Sequence, residues 1–260
     1  MIKPLDFNTA VVGIKAFTTE RGNINPRNKY SEFNVCNYTG DDALHVLDCR
    51  MQLCMELGID MDSLIMPHQT HSSKVAVIDE KYMSLDIDKQ ETALDGVDAL
   101  VTKLDSVCIG VNTADCVPIV LADENAGVIA ACHAGWRGTV ARIAAKTVEA
   151  MVKQGARAQN IKAVMGPSIC QDCFEVGNEV VEAFSKAKFD TKAIVKRNTE
   201  TGKAHIDLRK ANALVLQQAG LTASNINSQC ECSKCNSKQY FSARVMGTDS
   251  GRTFTGIIKV

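Results

Sequence analysis

The chain has 260 residues, 45% of them hydrophobic and 5% aromatic, which is enough apolar material for a full core in one large domain or two small ones. Its 29 Lys and Arg residues are balanced by 30 Asp and Glu residues, so the formal charge is −1 and nucleic acid is an unfavourable partner. Asp6 and Asn8 interrupt any secretory signal, and no later apolar run could span a bilayer. Together with an odd count of eleven scattered cysteines, this predicts a cytoplasmic protein with reduced thiols and no membrane partner.

The first strong periodic pattern is helical and lies between Asp41, the expected N-cap residue, and Gly58, the expected stop. We assign its apolar face to Leu44, Leu47, Met51, Cys54 and Leu57. Short runs rich in β-branched residues then predict strands over residues 63–69, 74–79, 97–102, 107–113, 118–122 and 128–132.

A second helical pattern follows this block of strands, with Thr139 as its expected N-cap residue and Gly155 as its end. The remaining predicted elements are a strand over 161–165, helices over 177–187 and 207–219, and a final strand over 252–260. We therefore predict an α/β (mixed α+β) fold, a single domain over residues 1–260 with mixed β-sheets flanked by helices.

Two segments bring reactive side chains to the ends of neighbouring predicted strands. Residues 112–118 read Asn-Thr-Ala-Asp-Cys-Val-Pro and contain Cys116; residues 132–138 read Cys-His-Ala-Gly-Trp-Arg-Gly and contain His133. Both side chains could meet in one cleft. A thiol beside an imidazole is typical of two chemistries, a thiolate nucleophile activated by histidine or a metal held by sulfur and nitrogen.

His71 is the third candidate, because it lies in the connection between two predicted strands, where a side chain can project into a cleft. Three ligands of the type His, Cys and His would leave the fourth position of zinc open for water or substrate, as in catalytic sites.

The turn over residues 135–138 could also bind an anion, because Arg137 and small residues precede a predicted helix. Arg137 is then the expected phosphate ligand. The simpler interpretation of the pattern alone is a tight turn with a solvated arginine.

A rival metal site is offered by Cys170-x-x-Cys173 and Cys232-x-x-Cys235, with Cys230 as a spare thiol. The long separation between the pairs favours packing or loop cysteines instead. His68 and His205 have no partner by spacing and are assigned structural roles.

The motifs together resemble the laccase-domain family, also called YfiH-like or polyphenol oxidase proteins. The matching segments are Gln69-Thr-His71, Asp98-Ala-Leu-Val-Thr102, Ala114-Asp-Cys-Val-Pro118, His133-Ala-Gly-Trp-Arg-Gly138, Gly166-Pro-Ser-Ile169 and Phe174-Glu-Val-Gly177. The resemblance implies the YfiH-like cysteine-hydrolase fold, with His71, Cys116 and His133 as both the metal ligands and the catalytic centre. It implies zinc, with copper as the alternative metal.

The resemblance also implies phosphorolysis of adenosine, inosine and methylthioadenosine to free base and ribose 1-phosphate, with zinc-dependent adenosine deamination as a side activity. Purine nucleosides and phosphate are then the partners, and the protein is a monomer or a homodimer. We expect Arg50, Arg137 and Arg244 to bind substrate or phosphate. The family usually has an Arg-Arg-Asp-Gly segment where this chain has residues 241–252, so Arg244 and Arg252 are the candidate substitutes.

Three other functions stay open at this point. A cysteine hydrolase or deamidase would use Cys116 as nucleophile and His133 as base, with Asp115 or His71 orienting the base. A polyphenol oxidase would use copper. A non-enzymatic binding protein would close the zinc shell with a fourth protein ligand.

Overall fold

The computed structural model describes residues 2–24 and 28–260. Its strands are β1 (Ile2–Pro4), β2 (Ile14–Thr19), β3 (Leu64–Ile65), β4 (Val75–Ile78), β5 (Ala99–Thr102), β6 (Cys108–Thr113), β7 (Val117–Asp123), β8 (Val128–Ala134), β9 (Lys162–Met165), β10 (Glu175–Val176), β11 (Val195–Arg197), β12 (Ala204–Ile206), β13 (Ile226–Asn227) and β14 (Thr253–Lys259). Its α-helices are α1 (Ala43–Leu57), α2 (Glu80–Met83), α3 (Ile87–Leu94), α4 (Trp136–Val140), α5 (Ile143–Lys153), α6 (Asn178–Lys186), α7 (Thr191–Ile194), α8 (Leu208–Gln218) and α9 (Ala243–Met246).

Two large sheets form the centre of the molecule. One has the strand order β13-β9-β7-β8-β5-β4, the other has the order β1-β2-β14-β6-β3, and a small third sheet has the order β10-β12-β11. The two large sheets pack face to face, since Val120 of β7 shares a buried cluster with Ile109 of β6 and Ile257 of β14. Parallel and antiparallel pairs occur in both, which confirms the predicted mixed α/β class.

Helices cover the outer faces of both sheets. Ile119 and Leu121 of β7 point away from the second sheet and pack with Val148 of α5 and Val215 of α8. On the opposite side of the molecule, Leu53 of α1 packs against the five-stranded sheet. The strands at the centre are therefore buried on both faces, which explains why they read as continuous apolar runs rather than alternating ones.

The predicted apolar face of the first helix is correct only in part: Cys54 is buried and Leu57 packs against the five-stranded sheet, but Leu47 and Met51 are exposed. Leu44 is 71% exposed, whereas Val46, Cys49 and Leu53 are buried against the five-stranded sheet. Apolar residues occur at helical spacing on both sides of α1, so periodicity alone could not choose between them. The N-cap residue also differs: the Asp42 carboxylate accepts from the first-turn amides, and Asp41 lies one residue outside. Gly58 is confirmed as the stop and adopts the left-handed conformation.

The helix predicted after Thr139 is in fact two. The short α4 begins at Trp136, and α5 begins after Arg142, whose φ of 59° is incompatible with a continuous helix. Thr139 lies inside α4 and does not cap it. The first predicted strand, over residues 63–69, is also shorter than expected: its first residue belongs to a 3-10 turn over Met61–Ser63, and β3 ends at Ile65.

Within residues 2–24 and 28–260, no helix combines the length and apolar character needed to cross a membrane.

Candidate active site

Cys116 and His133 meet because β7 and β8 are antiparallel neighbours. Val117 pairs with Ala134 and Pro118 pairs with His133, so the start of β7 lies beside the end of β8. The sequence predicted that Cys116 would lie at the end of a strand. Cys116 instead directly precedes β7, because β6 already stops at Thr113. The expected convergence of the thiol and the imidazole is nevertheless present.

His71 reaches the same point from the loop between β3 and β4. Its backbone adopts the left-handed conformation with φ of 61°, which turns its ring toward Cys116. His71 Nε2 lies 3.7 Å from Cys116 Sγ, and the His71 and His133 rings pack edge to face with centroids 4.9 Å apart. One nitrogen from each imidazole and the Cys116 sulfur all lie within 4.8 Å of one another. The structure thus brings the three predicted residues together.

Asp98 fixes both histidines, a role that its place in the sequence did not predict. Its carboxylate accepts a 2.6 Å hydrogen bond from His133 Nδ1 and accepts the backbone N–H groups of Thr70, His71 and Ser72. Its carbonyl accepts the His133 N–H at 2.8 Å. Burial raises the pKa of Asp98, but these hydrogen bonds and the His133 charge outweigh burial and lower it to about 2.

This arrangement settles which ring nitrogens face the site. Because Asp98 occupies His133 Nδ1, the nitrogen left for a ligand is Nε2, and His71 presents Nε2 as well. A carboxylate on the far nitrogen of a histidine is the usual outer partner of a metal-binding imidazole. The signal that could have identified Asp98 is its place one residue before β5, the antiparallel neighbour of β8.

The site also favours a charged sulfur. Burial raises the pKa of the Cys116 thiol, but the adjacent His133 and His71 imidazoles outweigh it and lower the pKa to about 6. Burial lowers the pKa of His133, but Cys116 and Asp98 outweigh it and raise the pKa to about 9. Near neutral pH the metal-free site therefore holds a thiolate, which is the form that both metals and nucleophilic chemistry require.

Gly135 allows the three side chains to approach. A Cβ atom at this position would lie 2.9 Å from Cys116 Sγ and 2.9 Å from His71 Cδ2, closer than any side chain tolerates. The residue after β8 must therefore be a glycine for Cys116 and His71 to meet.

Asp115 supports the loop rather than the base. Its φ is 88°, and its carboxylate accepts hydrogen bonds from Ser233 Oγ and the Arg244 backbone N–H. The residue that orients His133 is therefore Asp98, and the predicted alternatives, Asp115 and His71, are wrong for that role.

The four predicted arginines lie in different surroundings. Arg137 is exposed, and its guanidinium carbon lies 4.3 Å from the centroid of the Trp136 ring. Arg244 is exposed and donates to the carbonyl oxygens of Cys173 and Glu175. Arg50 donates from Nε to the Val35 carbonyl at 2.8 Å, and the Arg252 guanidinium donates to nearby backbone carbonyls.

The donor set fits a metal ion. Two imidazole nitrogens and one thiolate are ligands that zinc accepts, and three protein ligands leave one tetrahedral position free. His71 is exposed, so a small molecule can reach that position from solvent. The same donor set also occurs around copper.

Two other predictions concern metal ligands. The long sequence separation between the Cys170/Cys173 and Cys232/Cys235 pairs had argued against a shared metal site. The four cysteines nevertheless lie together. His68 and His205 each bond to a neighbour, His68 Nδ1 to Asp95 at 2.7 Å and His205 Nδ1 to a backbone carbonyl, in keeping with structural roles.

Known proteins are similar to this chain over almost its whole length. Residues 14–259 match the family described as "Multi-copper polyphenol oxidoreductase laccase". The chain is 61% identical over 258 residues to "Adenosine deaminase RL5" of an unknown prokaryotic organism, covering 99% of this chain and 98% of that one. It is 39% identical over 242 residues to the "Purine nucleoside phosphorylase" of Bacteroides thetaiotaomicron, covering 93% and 89%.

Among solved structures, the hypothetical protein YfiH of Bacillus licheniformis superimposes with a TM-score of 0.84 at 25% identity, covering 95% of this chain and 93% of that one. The chain therefore belongs to the laccase-like family that includes YfiH.

Proposed function

We propose that this protein is a purine nucleoside phosphorylase that also deaminates adenosine, with both reactions at the site formed by His71, Cys116 and His133. The observation that carries the proposal is the convergence of two imidazole nitrogens and one sulfur within 4.8 Å. Three such ligands would leave a tetrahedral zinc ion one open position. The two reactions are those named for the relatives that are 61% and 39% identical to this chain.

In this proposal Cys116 is a metal ligand and not a nucleophile. His71 Nε2, His133 Nε2 and Cys116 Sγ would hold the ion, and Asp98 keeps His133 in the orientation and tautomer that expose Nε2. We propose zinc as the metal. When bound, it would supply a Lewis acid and an acidified water molecule to the reaction.

Phosphorolysis breaks the bond between the ribose C1′ atom and the purine and forms a bond from C1′ to a phosphate oxygen. The purine leaves with the bonding electrons and takes up a proton. Arg137 is the proposed phosphate ligand, because it is exposed and follows by two residues Gly135, whose missing side chain leaves room for Cys116 and His71. Arg244 and Arg50 are proposed as further substrate or phosphate contacts.

Deamination uses water in place of phosphate. The water oxygen adds to the purine C6 atom, and the amino group leaves as ammonia, so adenosine becomes inosine. A single open metal position accessible from solvent is sufficient for this step, which is why one centre can serve both reactions. A cytoplasmic location is part of the proposal, since all eleven cysteines are free thiols, which a reducing compartment maintains.

A cysteine hydrolase is the second candidate, because a thiolate, an imidazole and a carboxylate also lie next to one another in the site. Cys116 would attack, His133 would transfer the proton, and Asp98 would orient the base. A copper-dependent oxidase is the third, since the family description names copper. These alternatives make different predictions about the state of Cys116 and the metal content.

Cys116→Ala tests the proposal directly. We expect it to reduce both phosphorolysis and deamination to background, because the site loses its only anionic ligand. Purified protein is incubated with adenosine and phosphate, and adenine, ribose 1-phosphate and inosine are followed together with zinc and copper content. The matched control is Cys230→Ser, a part-buried thiol outside the site, which should retain both activities. Full nucleoside turnover by Cys116→Ala would reject the assignment.

Asp98→Asn tests the role of the carboxylate. Asparagine offers only one acceptor oxygen in place of two, so the His133 bond and the three loop bonds cannot all persist. We expect zinc affinity to fall by roughly 10- to 100-fold. The readout is protection of Cys116 from iodoacetamide at a series of free zinc concentrations, resolved by peptide mass spectrometry.

Asp95→Asn is the control for that experiment, because Asp95 also bonds a histidine, His68, but on the surface. It should leave the protection curve unchanged. Equal curves for the two variants would remove Asp98 from the proposal. Rapid alkylation of Cys116 in zinc-loaded wild-type protein would instead favour the cysteine hydrolase.

Arg137→Gln tests phosphate binding. Hydrogen bonds to a charged group contribute about 1.5–3 kcal/mol, so we expect the KM for phosphate to rise about 10-fold or more, with less effect on the KM for the nucleoside. Arg157→Gln, another exposed arginine, is the control and should change neither constant. An unchanged phosphate KM in Arg137→Gln would exclude this residue as the phosphate ligand.

A further inference from the structure

Four cysteines outside the active site meet at the ends of two neighbouring strands. β9 and β13 are parallel partners, so their carboxyl ends lie at the same edge of the six-stranded sheet. One Cys-x-x-Cys pair follows each strand. We call the set Cys170, Cys173, Cys232 and Cys235 the four-cysteine cluster. Adjacent parallel strands thus join two pairs that are distant in sequence.

The sulfur positions suit a metal better than disulfides. The four Sγ atoms lie within 4.8 Å of one another, and Cys173 Sγ is 3.5 Å from Cys235 Sγ. A disulfide bond has a length of about 2.05 Å. Four sulfurs bound tetrahedrally to one zinc ion at about 2.3 Å are separated from each other by about 3.8 Å. The observed separations are close to the second arrangement.

Backbone amides provide an independent sign of a sulfur held as a ligand. The N–H groups of Cys170 and Cys235 both point at Cys232 Sγ, at 3.3 Å and 3.5 Å. Amides from the two opposite segments therefore converge on one buried sulfur. Hydrogen bonds to a charged acceptor are stronger than those to a neutral one, so this setting favours a thiolate at Cys232.

We propose that the four-cysteine cluster binds one structural zinc ion. Four thiolates complete a tetrahedral shell, so no position remains for water or substrate, and the ion has no part in the chemistry. Its function is to clamp the segment after β9 to the segment after β13.

The clamp lies next to the active-site loop. Ser233, inside the second cysteine pair, donates to the Asp115 carboxylate at 2.7 Å, and Ile169, next to the first pair, donates its N–H to the Asp115 carbonyl at 2.9 Å. Asp115 directly precedes Cys116. The zinc ion would therefore hold in place the two segments that support the Asp115 backbone in its left-handed conformation.

Zinc analysis of variants tests this proposal. Cys116→Ala isolates the four-cysteine cluster, because it disables the proposed catalytic metal site; after dialysis against a weak chelator it should retain one zinc per chain. Adding Cys173→Ser and Cys235→Ser to that variant should remove this zinc and lower the Tm. Adding Cys230→Ser instead is the control and should keep it, since Cys230 bonds Ser168 and lies outside the cluster.

Cys116→Ala without bound zinc would overturn the proposal, and so would zinc that survives the two added serine substitutions. If the serine variant does not fold, Cys116→Ala is loaded with cobalt(II). The intense visible and sulfur-to-metal charge-transfer absorption of a tetrahedral thiolate site supports the proposal, and the weak spectrum of an octahedral ion overturns it. Cysteines of the cluster that resist alkylation in denaturant and chelator until a reductant is added would be disulfides, which also overturns it.

Discussion

The geometry of the candidate active site depends on the hydrogen bonds that the Asp98 carboxylate accepts. The carboxylate bonds His133 at the end of β8 and the backbone of the loop that carries His71, so one buried anion fixes two of the three residues of the proposed metal site. Removing one partner from a buried charged network commonly costs several kcal/mol, because the other charge is left unpaired. The carboxylate is thus both a structural bond between loop and sheet and the group that selects the reactive nitrogen of His133.

The sheet positions Cys116, the third residue of the proposed metal site. Antiparallel pairing of β7 with β8 places Cys116 beside Gly135, and the missing side chain of that glycine lets the thiol reach both imidazoles. Cys116 and His133 therefore lie at the ends of strands that are buried on both faces and tolerate little movement. This scaffold holds Cys116 and His133 in place, while the exposed His71 is open to solvent.

Sequence reasoning succeeded where the signal was local. The motifs around Cys116 and His133 predicted that these two side chains would meet, and Gly58 and Asp207 correctly marked the end of α1 and the start of α8. It failed where only three-dimensional packing decides. The buried face of α1 could not be chosen because both sides carry apolar residues, and Asp98 could not be assigned because its partners are 26 to 35 residues away. The four-cysteine cluster was undervalued for the same reason, since its two halves are 62 residues apart.

The central claim is that His71, Cys116 and His133 surround one metal ion that keeps an open position. Anomalous diffraction at the zinc edge from crystals of the protein purified with its metal tests it most directly. We predict a peak at about 2.3 Å from Cys116 Sγ and about 2.0–2.1 Å from Nε2 of each histidine, with a solvent molecule as the fourth ligand. A map without a peak between these three side chains, or with a fourth protein ligand closing the shell, would contradict the account.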